Sequence, residues 1–234
     1  FGGKGLDAWA SFSQQLREVF VVEQIQLSAA EEGAAVDQID ESIDVLIVAA
    51  PTQKFSAAAI AELEQYVKRG GKILFFLSGT VVDQQNLNVA AQDTGLEALL
   101  AKAGVTVQKD VVADLASHET VRFSDGVSQY FYPYPYWVRA NVGRHILTGN
   151  VQQVMLPWPS SLTIAESSTA LITPLVSTTE QASHFTSGFQ LNPTALPDFA
   201  AAAKQSFVLA AAVEEVPAEE GQPNGRWVVV ANDG

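Results

Sequence analysis

Apolar and polar positions alternate along this chain in two rhythms, one before about residue 110 and one after it. Leu6, Trp9, Phe12 and Leu16 recur at near-helical spacing and predict a helix; residues 19–27, with Phe20, Val21, Val22 and Ile25, then turn β-branched and apolar and predict a strand. Residues 44–50 (DVLIVAA) form a continuous apolar run of the kind buried on both faces of a parallel sheet, and Pro51 ends it. Ser56 is placed to cap a helix in which Ile60, Leu63 and Val67 share one face. Glu64 and Lys68 pair across one turn, Lys68 and Arg69 meet the negative end of the helix dipole, and Gly70 supplies the left-handed stop. Residues 72–77 (KILFFL) read as the next buried strand, so 44–77 is a β-α-β unit with a right-handed crossover. Thr94 and Glu97 make a capping box ahead of Leu96, Leu99, Leu100 and Ala103, with Gly104 as the stop and a strand over 105–107.

Beyond residue 110 the helical period disappears. Short β-branched runs at 151–156, 161–164, 170–176, 207–213 and 226–230 are broken by Pro, Asn and Gly, with a long polar, loop-like passage at 177–197 and a short helix expected over 198–204. The pattern predicts one α/β domain over 5–233, its α/β part at about 5–110 and its β-rich part at about 111–233, with a partly parallel sheet carrying antiparallel additions.

Composition narrows the partners. The 234 residues are 47% hydrophobic and 17% charged, enough for a sizeable core without staples, and there is no cysteine. The longest apolar runs, 45–51 and 207–213, fall far short of the roughly 20 residues that span a bilayer. Lys+Arg 13 against Asp+Glu 26 gives a net charge of −13, which repels a polyanion, and no basic cluster interleaved with aromatics offsets it; nucleic acid is not an expected partner. Six of the acidic residues lie in 31–44, a solvated loop by pattern, because Asp37, Asp40, Glu41 and Asp44 lack the alternate-position spacing and central Gly of a calcium loop. The chain begins on Phe1 and ends just after a strand-like run, so it reads as a piece of something longer.

Candidate chemistry is sparse. Gly2-Gly3-Lys4-Gly5 lacks the Ser or Thr and the upstream strand of a phosphate loop, no G-x-G-x-x-G follows a strand, and His118, His145 and His184 lie in separate contexts without metal-ligand spacing, so no cofactor and no metal is expected. In open α/β sheets ligands gather at the carboxyl ends of the strands, which makes Pro51, Thr52, Gln53, Ser78 and Gly79 the candidate ligand-binding residues, with Ser56 at the rim. Ser78, at a strand end, also supports an alternative reading as the nucleophile of a hydrolase or amidotransferase-like enzyme, although no Gly stands two residues before it and the next convincing helix starts only near Thr94. The strongest compositional anomaly is 130–137 (YFYPYPYW), six aromatics in eight residues. Two prolines hold it extended and push it toward an edge, where Tyr132, Tyr134, Tyr136 and Trp137 would be partly exposed and meet a partner or a glycan; the competing reading packs one side on the core and covers the other with a loop.

Taken together, several segments resemble the GldG-like auxiliary proteins of gliding-motility-type ABC transporters. The resemblance is carried by 44–79 (DVLIVAAPTQKFSAAAIAELEQYVKRGGKILFFLSG), with its Pro after the first strand, a tyrosine near the helix end and Arg-Gly-Gly-Lys before the second strand. It continues through 95–110, the Tyr-Pro-Tyr-Trp stretch, His145-Ile146-Leu147-Thr148, 156–162 (LPWPSSL), 171–178 (LITPLVST) and 226–233 (RWVVVAND). Where family members often carry Asp-Pro after the second strand, this chain has Ser78-Gly79-Thr80. The resemblance implies a periplasmic α/β domain, flavodoxin-like or glutamine-amidotransferase-like in architecture and related to a domain of intraflagellar transport proteins. It also implies a binding or scaffold module without a catalytic set, acting with permease and ATPase subunits and a glycan or small-molecule ligand, and touching the membrane only through segments outside this piece.

Overall fold

The computed structural model describes residues 9–27, 38–124, 128–166, 170–216 and 223–233. The anticipated β-α-β unit is present: β1 (Leu46–Ala49), α2 (Ala57–Lys68) and β2 (Lys72–Phe76), preceded by a short helix, α1 (Ala10–Arg17). Ser56 caps α2 by accepting the Ala59 N–H at 3.2 Å, and the helix stops at Gly70, whose φ of +87° is the left-handed conformation glycine adopts without penalty. A small hairpin, β3 (Thr80–Val82) with β4 (Val89–Ala91), leads to α3 (Glu97–Lys102) and β5 (Val105–Val107). The box at the head of α3 forms around Thr94: its N–H donates to Glu97 Oε1 at 2.8 Å and its Oγ1 accepts the Leu96 N–H at 3.3 Å.

The second half is strand: β6 (Val111–Asp114), β7 (His118–Ser124), β8 (Gln129–Val142), β9 (Gln153–Pro157), β10 (Leu162–Ile164), β11 (Ala170–Ser177), β12 (Ala182–Phe185), β13 (Val208–Glu215) and β14 (Arg226–Val230). One ten-stranded sheet runs β1-β2-β14-β13-β11-β8-β7, with β9 on β8, and β10 joining β13 to β5. Only β1, β2 and β14 are parallel to one another, so the last strand of the chain sits beside the first unit and the remainder is antiparallel. The architecture is a mixed α/β fold, strand-rich with few helices. Side chains from one face of β1, β2 and β14 (Leu46, Val48, Ile73, Phe75, Trp227, Val229) pack against Ala59, Leu63 and Val67 of α2 and Leu99 and Leu100 of α3 in the largest core cluster. Tyr66 fastens α2 at its end, its hydroxyl donating to the Ile43 carbonyl at 3.1 Å.

Three local expectations change. Residues 19–27 form no strand: Val19, Phe20 and Val21 are exposed, and only Leu27 at the far end is buried, because β-branched composition without a ladder partner does not make a strand. The polar passage at 177–197 contains β12, which pairs with β6 through Ala182↔Asp114 to Phe185↔Val111. The helix expected over 198–204 shrinks to one 3₁₀ turn, Phe199–Ala201, capped by Asp198, whose carboxylate accepts the Ala200 N–H at 2.9 Å. Leu6, and Glu31, Glu32 and Asp37 of the acidic run, lie outside the described residues.

Candidate functional site

The carboxyl ends of β1 and β2 both lead into buried backbone. Pro51 is buried, while Thr52 and Gln53 are exposed; Ser78 and Gly79, directly after β2, are buried. The two loops meet through Gln92, whose N–H donates to the Gly79 carbonyl at 2.9 Å and whose Nε2 donates to the Pro51 carbonyl. Ser78, Gly79, Gln92, Thr94, Glu97 and Lys109 line a cavity of about 20 Å³ there, room for one water-sized molecule. Pro51, Thr52 and Gln53 do not line it. Gln92 Oε1 is buried with no hydrogen-bond partner among the described residues, an acceptor that a water in this cavity would satisfy.

Gly79 is required where it stands. A Cβ on it would fall 1.8 Å from the Gln108 carbonyl oxygen and 2.6 Å from the carbon of that carbonyl, so the backbone after β2 passes directly against the backbone after β5. This close approach lets the Gly79 N–H donate to Ser160 Oγ at 3.0 Å, and Ser160 Oγ in turn donates to the Asp110 carbonyl at 2.8 Å. Ser78 Oγ lies 3.4 Å from Ser160 Oγ and accepts the Thr80 N–H at 3.4 Å. Its neighbours are thus a hydroxyl and an amide, neither of which is a general base.

Sequence reasoning did not single out the most polar interior of the molecule, the carboxylates at the two ends of β6. Asp110 is fully buried: its Oδ1 accepts the Ser161 N–H at 2.8 Å, and its Oδ2 accepts Ser161 Oγ–H at 2.6 Å and faces His184 Nδ1 at 2.7 Å. Asp114, equally buried, accepts the N–H groups of Ala116 (2.9 Å), Ser117 (3.1 Å) and Thr179 (2.7 Å) together with the Thr179 hydroxyl (2.8 Å). Each carboxylate takes several donors, all of them distant in sequence for Asp110 and those of Thr179 for Asp114, so the two act as braces that pin β10, β12 and the turn after β11 onto β6. The legible signal was an Asp on either side of the short apolar run Val111-Val112-Ala113, where a carboxylate can enter the interior only with a full set of donors. The Asp110 carboxylate on Nδ1 orients the His184 ring, which stacks on Phe207 with centroids 4.9 Å apart. No hydrogen bond among the described residues reaches His184 Nε2, and the serine beside the pair spends its proton on Asp110.

The aromatic tract corrects the expectation of an exposed platform. Tyr134 and Tyr136 are 2% and 0% exposed, so neither ring is available to a partner or a glycan; Tyr132 and Trp137 are half-buried, and Tyr130 and Phe131 are the exposed members. The edge argument fails because the end of β12 and the residues after it fold back over the strand: Phe185, Phe189, Leu191 and Phe199 close a cluster with Tyr134 and Tyr136. Tyr134 Oη donates to the Leu191 carbonyl at 2.6 Å and accepts Trp158 Nε1–H at 2.9 Å. Pro133 stays in register opposite Thr120, and Pro135 is accommodated by slippage. Glu119 faces Tyr134 and His118 faces Val138, so 135–137 have no counterpart on β7, and the Tyr136 carbonyl is taken instead by the Trp158 N–H at 2.8 Å. Burial pushes the Tyr134 phenol up to about 12 and raises Tyr136 as well, the second helped by the neighbouring Tyr134.

A family model described as an ABC-type uncharacterized transport system matches residues 6–232. No curated protein is matched by sequence. Among solved structures the chain is similar to the "mmIFT52 N-terminal domain", with 17% identity and a TM-score of 0.55 over 96% of this chain and 78% of that one, a likeness of fold. A β-galactosidase from Rahnella sp. R3, described as cold-adapted, is matched at 13% identity and a TM-score of 0.36 over 86% of this chain and 22% of that chain.

Proposed function

The chain belongs to the family of ABC-type transport system auxiliary components, and from that membership we propose that it is a non-catalytic scaffold domain held outside the cytoplasm beside the permease and ATPase subunits of such a system. The observation that carries the reading is the family match across residues 6–232. The interior is consistent with it. The strand-end cavity admits one water-sized molecule, the hydrogen-bond partners of Ser78 Oγ among the described residues are a hydroxyl and an amide, and the buried carboxylates are consumed in bracing. Such a domain works by presenting a fixed surface, and a gliding-motility-type or other envelope transporter is the proposed setting.

The test is co-purification. The full-length protein, expressed with the permease and ATPase subunits of the proposed system, is expected to elute with both from detergent-solubilised membranes, and the domain is expected to be cleaved by protease added to spheroplasts. Elution free of both subunits would overturn the transport reading, and protection of the domain in intact spheroplasts would overturn its placement.

A further inference from the structure

Parallel strands are ordinarily covered on both faces, since each presents apolar side chains to both. Among the described residues, α2 and α3 pack on one face of the parallel strands β1, β2 and β14. On the other, the strand register aligns Ile47, Leu74, Val228, Ala212 and Thr173 in one row across β1, β2, β14, β13 and β11. All five are half-buried, and Ile47, Leu74 and Val228 belong to none of the three core clusters. Among the described residues this face meets α1, through the rings of Trp9 and Phe12 against Phe76 at centroid distances of 5.2 and 6.4 Å, and Val230, two residues beyond Val228, packs against the cluster that holds Val138, Ala140 and Leu209. α1 itself buries no residue.

Width and charge say what else fits. Five strands spaced about 4.8 Å apart make a face about 19 Å across, enough for two helices side by side at about 10 Å. One berth is taken by α1. The next row toward the amino ends of β2 and β14 is charged: Lys72 stands beside Arg226, and Arg226 beside Glu214, with Arg226 and Glu214 paired at 3.1 Å. Lys72 is exposed and makes no ion pair among the described residues, so the described part of this row carries Lys72 and Arg226 against Glu214 in a chain of net charge −13. A second copy of the chain would bring that same net charge with it, whereas an apolar helix stripe ending in a carboxylate matches both rows.

We propose that this outer face of β1, β2 and β14 is the docking surface for an amphipathic α-helix of a transporter subunit, laid beside α1 with an Asp or Glu over Lys72. The proposal rests on the transport reading above. The small residues Ala212 and Val228 form the floor, and Leu74 rises beside them, which suits a helix stripe of Leu, Val and Ala. The ion pair at Lys72 is solvent-exposed, so it sets direction more than affinity.

These 234 residues hold no cysteine, so an introduced one is the single thiol within them. Val228→Cys reports on the face, Ala212→Cys is the second reporter should the first fold poorly, and Ala61→Cys, exposed on α2, is the control. Each full-length variant is treated with a small methanethiosulfonate reagent, alone and in the co-purified complex with permease and ATPase. The expected result is labelling at Val228→Cys slowed about tenfold or more in the complex, with Ala61→Cys unchanged, and cross-linking from Val228→Cys to a helix peptide carrying an acidic end. Lys72→Glu is expected to weaken co-elution several-fold. Equal labelling of Val228→Cys in a complex that does co-purify overturns the docking surface alone. Protection of the isolated chain that rises with its concentration overturns it in favour of a second copy, and protection by lipid vesicles alone overturns it in favour of a membrane. Failure of the wild-type chain to co-purify overturns the transport reading and this surface with it.

Discussion

Asp110 and His184, 74 residues apart in sequence, meet at 2.7 Å between Oδ2 and Nδ1, with Ser161 donating to both oxygens of the same carboxylate. Three strands of different sequence origin are thereby tied at one buried point. Replacing Asp110 with Ala strands the Ser161 N–H and hydroxyl and frees the His184 ring, at a cost of about 3 kcal/mol. For a chain of this size that corresponds to a fall of about 6–12 °C in melting temperature. His184→Gln, at a partly exposed position, is expected to cost less than half as much. A melting curve for Asp110→Ala within about 2 °C of wild type would contradict the brace.

The aromatic tract divides along its length, with Tyr130 and Phe131 exposed at its start and Tyr134 and Tyr136 buried further on. Tyr134→Ala and Tyr136→Ala each remove a buried ring and are expected to cost about 3–5 kcal/mol, whereas Tyr130→Ala and Phe131→Ala, at exposed positions, are expected to stay within about 0.5 kcal/mol of wild type. Urea unfolding of the four single variants tests the division. Comparable losses at all four would mean that the covering segment does not distinguish them.

Alkaline pH should loosen this cluster. The Tyr134 phenol is held up to about 12, above the ordinary value of 10.0, by burial, with the Trp158 indole N–H acting against the rise. Between those values the unfolded chain loses the proton while the folded chain keeps it, so stability is fully present below about pH 10 and falls as pH rises toward 12. Tyr136 is shifted in the same direction and adds to the fall. Melting temperatures measured from pH 8 upward should therefore decline beyond about pH 10, with a smaller pH-dependent loss in Tyr134→Phe than in the wild type. An equal decline in that variant would place the titrating groups elsewhere.

Gly79 is the tightest backbone crossing in the site. Gly79→Ala would place a methyl 1.8 Å from the Gln108 carbonyl oxygen, with backbone rather than a flexible side-chain tip in the way, so the strand-end junction has to part. Expression of this variant is expected to be mostly insoluble. Gly149→Ala, where no atom lies within 4 Å but φ is +55°, is expected to fold at a cost of about 1 kcal/mol. Soluble Gly79→Ala with an unchanged melting temperature would show that the crossing can relax.

Much of the first half was legible because its signals are local. Ser56, Gly70 and the Thr94–Glu97 box act within a turn or two of the chain, and the apolar runs of β1 and β2 can only be buried strands. β14 is equally clear as a strand, but its place beside β2 is not, since that pairing joins residues some 150 apart whose register no local pattern encodes. The same holds at the site. Ser78 and Gly79 were legible as a strand end, but Gln92 bridging them to Pro51, and Asp110 reaching Ser161 and His184, depend on side chains meeting across the fold. Tyr134 and Tyr136 misled for a related reason: two prolines describe the strand they sit in correctly, and say nothing of the segment containing Leu191 that later folds over them.

Ser78 was the residue with the most enzyme-like sequence context, and its surroundings predict inertness. A serine nucleophile needs a base within about 2.6–3.2 Å, yet Ser78 Oγ has Ser160 Oγ and the Thr80 N–H, both at 3.4 Å. The imidazole braced by Asp110 makes no recorded bond to it, and the side chain is 5% exposed, which leaves little path for a substrate. Ser78→Ala removes two long hydrogen bonds and should lower stability by no more than about 1 kcal/mol. The ATPase rate of the co-purified transporter should then stay within about twofold of wild type, against the several orders of magnitude that loss of an acting nucleophile costs. Incubation with a fluorophosphonate probe should leave Ser78 unmodified by mass spectrometry. Stoichiometric labelling at Ser78, abolished in His184→Gln, would instead make Asp110 and His184 the catalytic partners of a hydrolase.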